Sequence, residues 1–225
     1  MRTPDPGRRA QQSLVGLSGH TTHGIGSYFY GRGMADELAM PDPPLANDVV
    51  ALRAWSEGDI PFIVTACQDP LIERFTAAIP SPYGETDARA WLASQEPARR
   101  AGRSLELAIL DASSAAPLGA VALSSMDLRH RRSGMGYWLA EHARGRGIAT
   151  EAVRLLAGWA LGVLRLDRLE LMIHPENIAS QGVAERCGFK REGLLRSHML
   201  KRNSDERRDS LVYGLLPQEF RDRDP

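Results

Sequence analysis

The sequence predicts a mixed α/β domain built on one central sheet. Three apolar, strand-like runs at residues 105–110, 118–128 and 134–139 follow one another through short polar turns. This is the pattern of an antiparallel meander. A helical run at residues 150–164 and another strand at residues 169–173 come next. The order strand, helix, strand predicts a crossover connection after the meander.

Length and composition are typical of one compact domain with some additional chain. The protein has 225 residues, 43% of them hydrophobic, and a formal net charge of +0. Because the charge is balanced, nucleic acid and anionic membranes are not expected as partners. The longest apolar helical run, residues 149–166, contains Arg154 and Arg165 and is not expected to span a membrane. Cys67 and Cys187 are the only cysteines, which favours a reducing, cytoplasmic location and no metal site.

Both ends of the chain are predicted to lie outside the domain. Residues 1–45 are rich in Gly, Pro, Ser, His and Arg, and they predict a flexible N-terminal tail or extension. They contain no apolar signal-peptide core. The alternative is a partner-binding arm that uses the aromatic residues 28–30. Residues 218–225 are assigned to a C-terminal tail.

The remaining elements are assigned in chain order from local patterns. Thr86 suits the N-cap of a helix, because its hydroxyl can accept hydrogen bonds from unpaired N–H groups. Gly188 suits a left-handed helix end, with Phe189 packing back on that helix. The predicted elements are a strand at 49–55, helices at 60–67, 86–92 and 178–187, and closing strands at 194–200 and 210–215.

The most informative segment is the glycine-rich turn between the strand at 134–139 and the helix at 150–164. It reads Arg144-Gly145-Arg146-Gly147-Ile148-Ala149-Thr150. Glycine allows the backbone to turn with its N–H groups pointing inward, and the free N–H groups of a helix start carry partial positive charge. The turn therefore predicts a phosphate-binding loop, and the phosphate is expected to belong to a cofactor. The apolar face of the helix packs on the sheet, so its first turn stays available.

A dinucleotide-binding fold is the main rival interpretation of this turn. Gly145-x-Gly147 opens a helix, and Glu170 follows after a suitable interval. However, Thr150 stands where the third glycine is required, and Glu170 comes early in its strand. The pattern therefore does not favour a nicotinamide or flavin site.

Four motifs stand in a specific order along the chain. They are Gly136-Tyr137-Trp138-Leu139, Arg144-x-x-Gly147-x-Ala149, His174-Pro175-Glu176-Asn177-Ile178-Ala179-Ser180, and Cys187-Gly188-Phe189-Lys190-Arg191-Glu192-Gly193. Each motif alone is weak, but together and in this order they resemble the GNAT superfamily of acyl-CoA N-acyltransferases. The nearest branch is the RimJ/RimL-like one, which includes ribosomal-protein N-terminal acetyltransferases. The resemblance implies an acetyltransferase domain at residues 46–217.

The resemblance implies the GNAT fold, a mostly antiparallel sheet with helices on both faces and a splayed parallel pair of strands. Acetyl-CoA is the implied cosubstrate, with its pantetheine arm between the strands at 134–139 and 169–173, and no metal is implied. The backbone of Trp138 and Leu139 would pair with this arm. The N–H groups of Gly145, Arg146, Gly147, Ile148, Ala149 and Thr150 would hold the pyrophosphate. The side chains of Arg144 and Arg146 would either add charge or remain solvated.

Asn177 and Ser180 begin the next predicted helix, where both residue types also serve as caps. In similar proteins the position of Asn177 contacts the cofactor arm. The position of Ser180 lies near the thioester sulfur, where a hydroxyl can stabilise or protonate the leaving thiolate. Many relatives have a tyrosine near this place, and none stands there in this sequence.

The implied reaction is direct acetyl transfer to a primary amine in a ternary complex. The acceptor is either a protein or peptide N-terminal amine or a small-molecule amine, and no motif selects between them. A base must remove a proton from the amine, and Glu106 and Asp127 are the candidates. A strand N–H near Leu139 would stabilise the oxyanion. A homodimer formed by exchange of a late strand or of the tail is left open.

Two alternatives remain at this point. The first is a binding module, either a non-catalytic acyl-CoA sensor on the same fold or a ribosome- or RNA-associated protein that uses residues 129–132. The second is a covalent route through an acetylated cysteine. Neither Cys67 nor Cys187 has a histidine close in sequence, so direct transfer is favoured.

Overall fold

A computed structural model of the chain describes residues 37–76, 79–200 and 205–221. The strands are Val50–Ala54 (β1), Leu105–Asp111 (β2), Pro117–Asp127 (β3), Arg132–Leu139 (β4), Arg168–Ile173 (β5), Lys190–Leu200 (β6) and Arg207–Leu215 (β7). The α-helices are Ile60–Cys67 (α1), Pro70–Phe75 (α2), Glu85–Arg100 (α3), Ile148–Gly162 (α4), Ile178–Arg186 (α5) and Pro217–Arg221 (α6). The described strands form a single sheet in the order β1-β2-β3-β4-β5-β7-β6.

The sheet is antiparallel except for one pair. β2, β3 and β4 form the predicted meander, and β4 runs parallel to β5 after the crossover through α4. β7 lies between β5 and the edge strand β6. This topology confirms the mixed α/β class and the single parallel pair, and it excludes the all-parallel dinucleotide fold.

Each face of the sheet is covered by different helices. On β2, Leu107 and Ile109 belong to the larger core, which also contains the apolar face of α4. Ala108 and Leu110 point to the opposite face and pack with α1 and α3. Successive residues of a strand face opposite sides, so one short apolar strand serves both cores. The predicted arrangement of helices on both faces is confirmed.

Residues just before position 46, the predicted start of the domain, pack on its core. Leu38 is only 3% exposed, and its N–H donates to the carbonyl of Arg99 at 3.2 Å. Leu45 packs on the core and accepts a hydrogen bond from the Leu52 N–H. A few apolar side chains are enough to bind this proline-rich segment to the domain. Residues 1–36, with the expected arm at 28–30, lie outside the described residues.

Part of the predicted C-terminal tail is helical. Residues 217–221 form α6, although residues 218–225 were assigned to a tail. Phe220 packs against the main core beside Gly158 of α4. Glu219 accepts a hydrogen bond from the Leu216 N–H and pairs with Lys190 at 2.7 Å. The short helix is stabilised by these tertiary contacts, which local sequence does not reveal.

The helix ends test the predicted caps. Thr86 is not an N-cap, because α3 begins at Glu85 with Gly84 as its N-cap. The Gly84 N–H donates to the Asp87 carboxylate at 2.9 Å. This hydrogen bond stabilises the first turn of α3 without a threonine hydroxyl. The prediction at Gly188 is confirmed, since its φ is 93° and the N–H of Phe189 donates to the Ala184 carbonyl.

In the described part of the chain, the helices are too short or too polar to cross a bilayer.

Candidate active site

β4 and β5 diverge where the site begins. Their pairing ends at Met135 and Leu171, although β4 continues to Leu139 and β5 to Ile173. Both strands remain paired on their outer sides, β4 with β3 and β5 with β7. The carboxyl ends of the two parallel strands are therefore held apart as a wedge. This is the splayed pair that the family resemblance implied.

The backbone that faces this wedge differs by one residue from the expectation. Trp138 and Leu139 were both expected to present backbone groups there. The Trp138 carbonyl oxygen instead lies against Gly119 of β3, and the Ala140 N–H donates to the Leu118 carbonyl at 2.9 Å. Since alternate residues direct their backbone groups to opposite edges of a strand, Tyr137 and Leu139 face the wedge and Trp138 does not.

The glycine-rich turn ends as the N-terminus of α4. Gly145 and Gly147 have φ values of 73° and 80°, the left-handed region that glycine adopts at low cost. Among the described residues, the six N–H groups from Gly145 to Thr150 have no protein acceptor. A Cβ added at either glycine would meet no atom within 4 Å, so the space beside the turn is open. The turn thus has the geometry of a phosphate-binding loop.

The two arginines of the turn have different environments. Arg144 donates to the Leu139 carbonyl at 2.9 and 3.1 Å and pairs with Asp69 at 2.7 Å. Its guanidinium therefore joins β4 to the start of α2. The side chain of Arg146 is 53% exposed and lies 3.9 Å from Asp111. Of the two side chains, Arg146 is the one that is freer to move toward an anion.

α2 is a part of the site that was not predicted from the sequence. Asp69 is its N-cap and accepts a hydrogen bond from the Leu71 N–H at 2.7 Å, and Pro70 is its first residue. Asp followed by Pro is a recognisable helix start, so the signal was present. Leu71, Ile72 and Phe75 line the cavity and form its apolar wall.

Asn177 and Ser180 lie where the sequence analysis expected them. The Asn177 side-chain oxygen caps α5 by accepting from the Ser180 N–H at 3.1 Å. The capping role is therefore real, and the Asn177 amide NH₂ is left for another partner. The Ser180 Oγ lies 2.6 Å from the Tyr137 hydroxyl. This contact joins residues 43 positions apart, and local sequence does not indicate it.

These elements surround one cavity of about 780 Å³. It is lined by the wedge-facing end of β4, the turn before α4, the first turns of α4 and α5, and the inner side of α2. Of the sequence-predicted cofactor residues, the lining includes Trp138, Leu139, Arg144, Gly145, Gly147, Ile148, Ala149, Thr150 and Asn177. Ser180 lines it as well, and Arg146 does not.

The two candidate bases, Glu106 and Asp127, have surroundings that shift their pKa values in opposite directions. Burial raises the pKa of the Glu106 carboxyl to about 7. A hydrogen bond with His130 at 2.6 Å lowers the pKa of Asp127, and Arg132 lies 3.5 Å from the same carboxylate. A carboxylate held in this way is a weak base. Glu106 is therefore the better candidate of the two.

The cysteines do not belong to the cavity lining. Burial raises the pKa of each thiol to about 12, so both are protonated and weakly nucleophilic at neutral pH. Cys187 also donates to the Thr150 carbonyl at 3.5 Å. Both are free thiols.

The basic turn at residues 129–132 is partly neutralised by its neighbours. Arg131 pairs with Asp167 at 3.0 Å, and Arg132 and His130 both contact Asp127. These contacts do not favour a dedicated RNA-binding surface.

Comparison with known proteins identifies the family. Residues 50–190 match the model of the acetyltransferase (GNAT) domain, which is more than half of the chain. The chain belongs to the GNAT acetyltransferase family. This confirms the family and the fold that the sequence predicted.

Individual relatives agree with this placement. "Putative ribosomal N-acetyltransferase YdaF" of Bacillus subtilis is 33% identical over 45% of this GNAT chain and 55% of its own length. The chain matches about half the length of this curated relative. RimJ of Mycobacterium smegmatis, solved in complex with CoA-disulfide, is 24% identical with a TM-score of 0.70, covering 78% of this chain and 87% of that one. Spermidine N-acetyltransferase of Vibrio cholerae, in complex with CoA and spermine, is 20% identical with a TM-score of 0.67, covering 77% and 99%. The two structures show the shared fold alone, and the name of YdaF agrees with the RimJ/RimL-like branch.

Proposed function

We propose that this chain is an acetyl-CoA-dependent N-acetyltransferase that moves the acetyl group to a primary amine by direct transfer in a ternary complex. The observation that carries the proposal is the row of free N–H groups from Gly145 to Thr150 beside the cavity between β4 and β5. Such a row, at the start of a 15-residue helix, suits a diphosphate. A CoA derivative is bound by the RimJ structure of the same fold.

The wedge suits an extended cofactor arm. The backbone groups of Tyr137 have no strand partner there, so an amide-containing arm can pair with them as an added strand. The Leu139 carbonyl already accepts from Arg144. The apolar wall of α2 would cover such an arm from the other side. Asn177 can donate its free amide to the arm while its oxygen caps α5. Acetyl-CoA supplies the activated acetyl group when it is bound.

Two groups are placed to stabilise charge during transfer. The Leu139 N–H faces the wedge and is the proposed donor to the thioester oxygen as it gains negative charge. The Ser180 hydroxyl lines the same cavity and is the proposed donor to the leaving sulfur. The chain uses its own hydrogen-bond donors for both tasks.

Glu106 is the proposed base. By strand register Glu106 lies opposite Ala122 of β3, which lies opposite Gly136 of β4. Glu106 does not line the cavity itself, but the two positions between its strand and the wedge carry small residues, and a Cβ at Gly136 would meet no atom within 4 Å. A carboxyl group that titrates near neutral pH suits proton removal from an amine.

The acceptor is a primary amine, either the N-terminus of a peptide or protein or a small molecule. The name of YdaF favours a ribosomal protein, whereas the spermine complex of the Vibrio cholerae enzyme favours a small amine. Both cysteines are free thiols, which supports the cytoplasmic location proposed from composition.

The test is a screen of peptides and small amines with acetyl-CoA, read by release of the CoA thiol and by mass of the product. The Cys67→Ala/Cys187→Ala double variant is the matched control, because it removes the protein's own thiols from the assay. We expect release that depends on one class of amine. If calorimetry detects CoA binding but every amine fails, the chain is an acyl-CoA sensor. If CoA does not bind, the proposal is wrong.

A further inference from the structure

Tyr137 and Ser180 form a pair of hydroxyl groups inside the cavity. The Tyr137 hydroxyl lies 2.6 Å from the Ser180 Oγ and 3.4 Å from the Ser180 carbonyl oxygen. The first distance is typical of a strong O–H···O hydrogen bond, and the second is too long for one. Both side chains line the cavity. They come from the diverging end of β4 and from the first turn of α5.

The surroundings settle which hydroxyl donates. Tyr137 is packed against the main core, and burial raises the pKa of its hydroxyl to about 12. It therefore keeps its proton at neutral pH. If Ser180 donated to Tyr137, the tyrosine proton would have only the distant Ser180 carbonyl as a protein acceptor among the described residues. Tyr137 is partly buried, and a hydroxyl there without a good protein acceptor is unfavourable, so Tyr137 is assigned as the donor to Ser180.

The position of Ser180 is fixed by a second contact. Its N–H donates to the Asn177 side-chain oxygen at 3.1 Å, which holds the first turn of α5. In the described part of the chain, Tyr137 is the partner found for the Ser180 Oγ. With the tyrosine hydrogen occupying one Oγ lone pair, the hydrogen of Ser180 itself remains for a group in the cavity.

We propose that Tyr137 is a positioning residue that orients the Ser180 hydroxyl toward the sulfur of the departing CoA thiolate. The inference rests on the proposed acetyl transfer. In that step the amine nitrogen forms a bond to the acetyl carbon, the carbon–sulfur bond breaks, and its electron pair leaves on sulfur. The proton lost by the amine goes to the base. The Ser180 hydrogen stabilises the new thiolate, and the Tyr137 hydrogen stabilises the oxygen that donates it.

The apolar wall explains why this support is needed. Leu71, Ile72 and Phe75 line the cavity and offer no hydrogen bond to an anion. A thiolate in apolar surroundings is poorly stabilised unless a donor is aimed at it. A donor that itself accepts a hydrogen bond is strengthened, since chains of hydrogen bonds polarise one another.

The test measures the pKa of the CoA thiol bound to the full-length protein, from the ultraviolet absorbance of the thiolate as the pH is varied. We expect the bound thiol to be more acidic than free CoA, and Ser180→Ala to abolish the difference. Tyr137→Phe should reverse part of it and lower kcat about 3- to 10-fold, the worth of one neutral hydrogen bond. Because Tyr137 acts through Ser180, Tyr137→Phe should have no further effect in the Ser180→Ala background.

Two controls separate this role from a structural one. Tyr213→Phe removes another buried tyrosine hydroxyl, which lies 3.5 Å from Glu185, and should leave the thiol pKa and kcat unchanged. Ser180→Thr keeps the hydroxyl and should keep the acidic thiol.

Four outcomes overturn the inference. An unchanged thiol pKa in Tyr137→Phe means that the pair is structural only. If Tyr137→Phe lowers the acidity of the bound thiol equally in the wild type and in Ser180→Ala, Tyr137 contacts the sulfur itself. Failure of the wild-type protein to bind CoA in calorimetry overturns the proposed function and this inference together, whereas binding with an unshifted thiol pKa overturns the inference alone.

Discussion

Asp69 and Arg144 form a 2.7 Å ion pair that joins the first turn of α2 to the phosphate-binding loop before α4. Both side chains are largely buried, with exposures of 14% and 29%. At the other end of α2, Arg74 pairs with Glu176 at 2.5 Å, in the segment between β5 and α5. The helix therefore bridges the two sides of the wedge. These two contacts join the apolar wall to both sides of the wedge.

The first prediction concerns the dual role of Asp69. Although burial raises its pKa, the Leu71 N–H and the Arg144 guanidinium lower it more, and the net pKa lies below the ordinary value. Asp69→Asn keeps the N-cap and removes the charge, so it should cost about 1 kcal/mol of unfolding free energy. Asp69→Ala also removes the cap and should cost about 1 kcal/mol more. Urea unfolding at neutral pH measures both.

The pH dependence gives the control for this pair. A lowered folded-state pKa means that the stabilisation is present above the ordinary aspartate pKa and is lost as the pH falls through the lowered one. The stability difference between wild type and Asp69→Asn should therefore shrink in acid. A difference that stays constant down to acid pH would contradict the ion-pair explanation.

The second prediction separates strain from ligand access at Gly147. Its φ of 80° disfavours residues with a Cβ, so Gly147→Ala should lower stability by about 1–2 kcal/mol. The added methyl group also enters the open space proposed for the diphosphate, so CoA affinity should fall at least about tenfold, or 1.4 kcal/mol. Gly147→Asn tolerates the left-handed conformation better and should recover stability without recovering affinity. Calorimetry and thermal melting measure the two effects.

Gly162→Ala is the matched control for this series. Gly162 ends α4, the same helix, and a Cβ there also meets no atom within 4 Å. The substitution should leave CoA affinity unchanged. Full affinity in Gly147→Asn would show that the loop does not hold the diphosphate in the proposed way.

The third prediction concerns Glu106. Its folded-state pKa of about 7 lies above the ordinary value of 4.5. Between these values the folded protein binds the proton more tightly than the unfolded chain, so the stability of the wild type should fall as the pH rises through this range. Glu106→Gln does not titrate. It should be more stable than the wild type at pH about 8, by up to about 3 kcal/mol, and this advantage should vanish near pH 4.

Kinetics test the proposed role of the same residue. If Glu106 is the base, kcat/KM of the wild type should rise as the pH increases through about 7. In Glu106→Gln the rise of kcat/KM with pH should disappear, and the highest value of kcat/KM should fall by about 10²-fold or more. Glu106→Asp, which keeps a carboxylate on a shorter arm, should retain part of the activity. An unchanged pH profile in Glu106→Gln would assign the base elsewhere.

The fourth prediction concerns the route of acetyl transfer. Because both thiols are buried and protonated, Cys67→Ala/Cys187→Ala should keep kcat within about twofold. The cost should be limited to stability, about 1 kcal/mol for each lost sulfur. Initial-rate patterns with both substrates varied should intersect, as a ternary complex requires. Parallel lines, or an inactive but folded double variant, would favour a covalent acetyl-cysteine.

Most elements were predictable because their signals are local. The boundaries of α1 agree with the sequence prediction, and the four central strands differ from it by two residues or fewer at either end. α4 begins two residues earlier than predicted, at Ile148, because Gly147 adopts the left-handed conformation and acts as N-cap. The start of α2 is recognisable in the sequence as Asp followed by Pro, although the helix is short. α6 is stabilised by tertiary contacts that its sequence does not display.

The sequence by itself determined the order of the strands and of the four longest helices, the glycine turn that opens α4 and the family to which the chain belongs. These features depend on backbone preferences, apolar periodicity and motif order, which act over a few residues. Only the tertiary structure decided that Tyr137 meets Ser180, that Asp69 pairs with Arg144 and that the Glu106 carboxyl titrates near neutral pH. Hydrogen bonds, ion pairs and desolvation depend on distance in space and on burial, which are set by packing between distant parts of the chain.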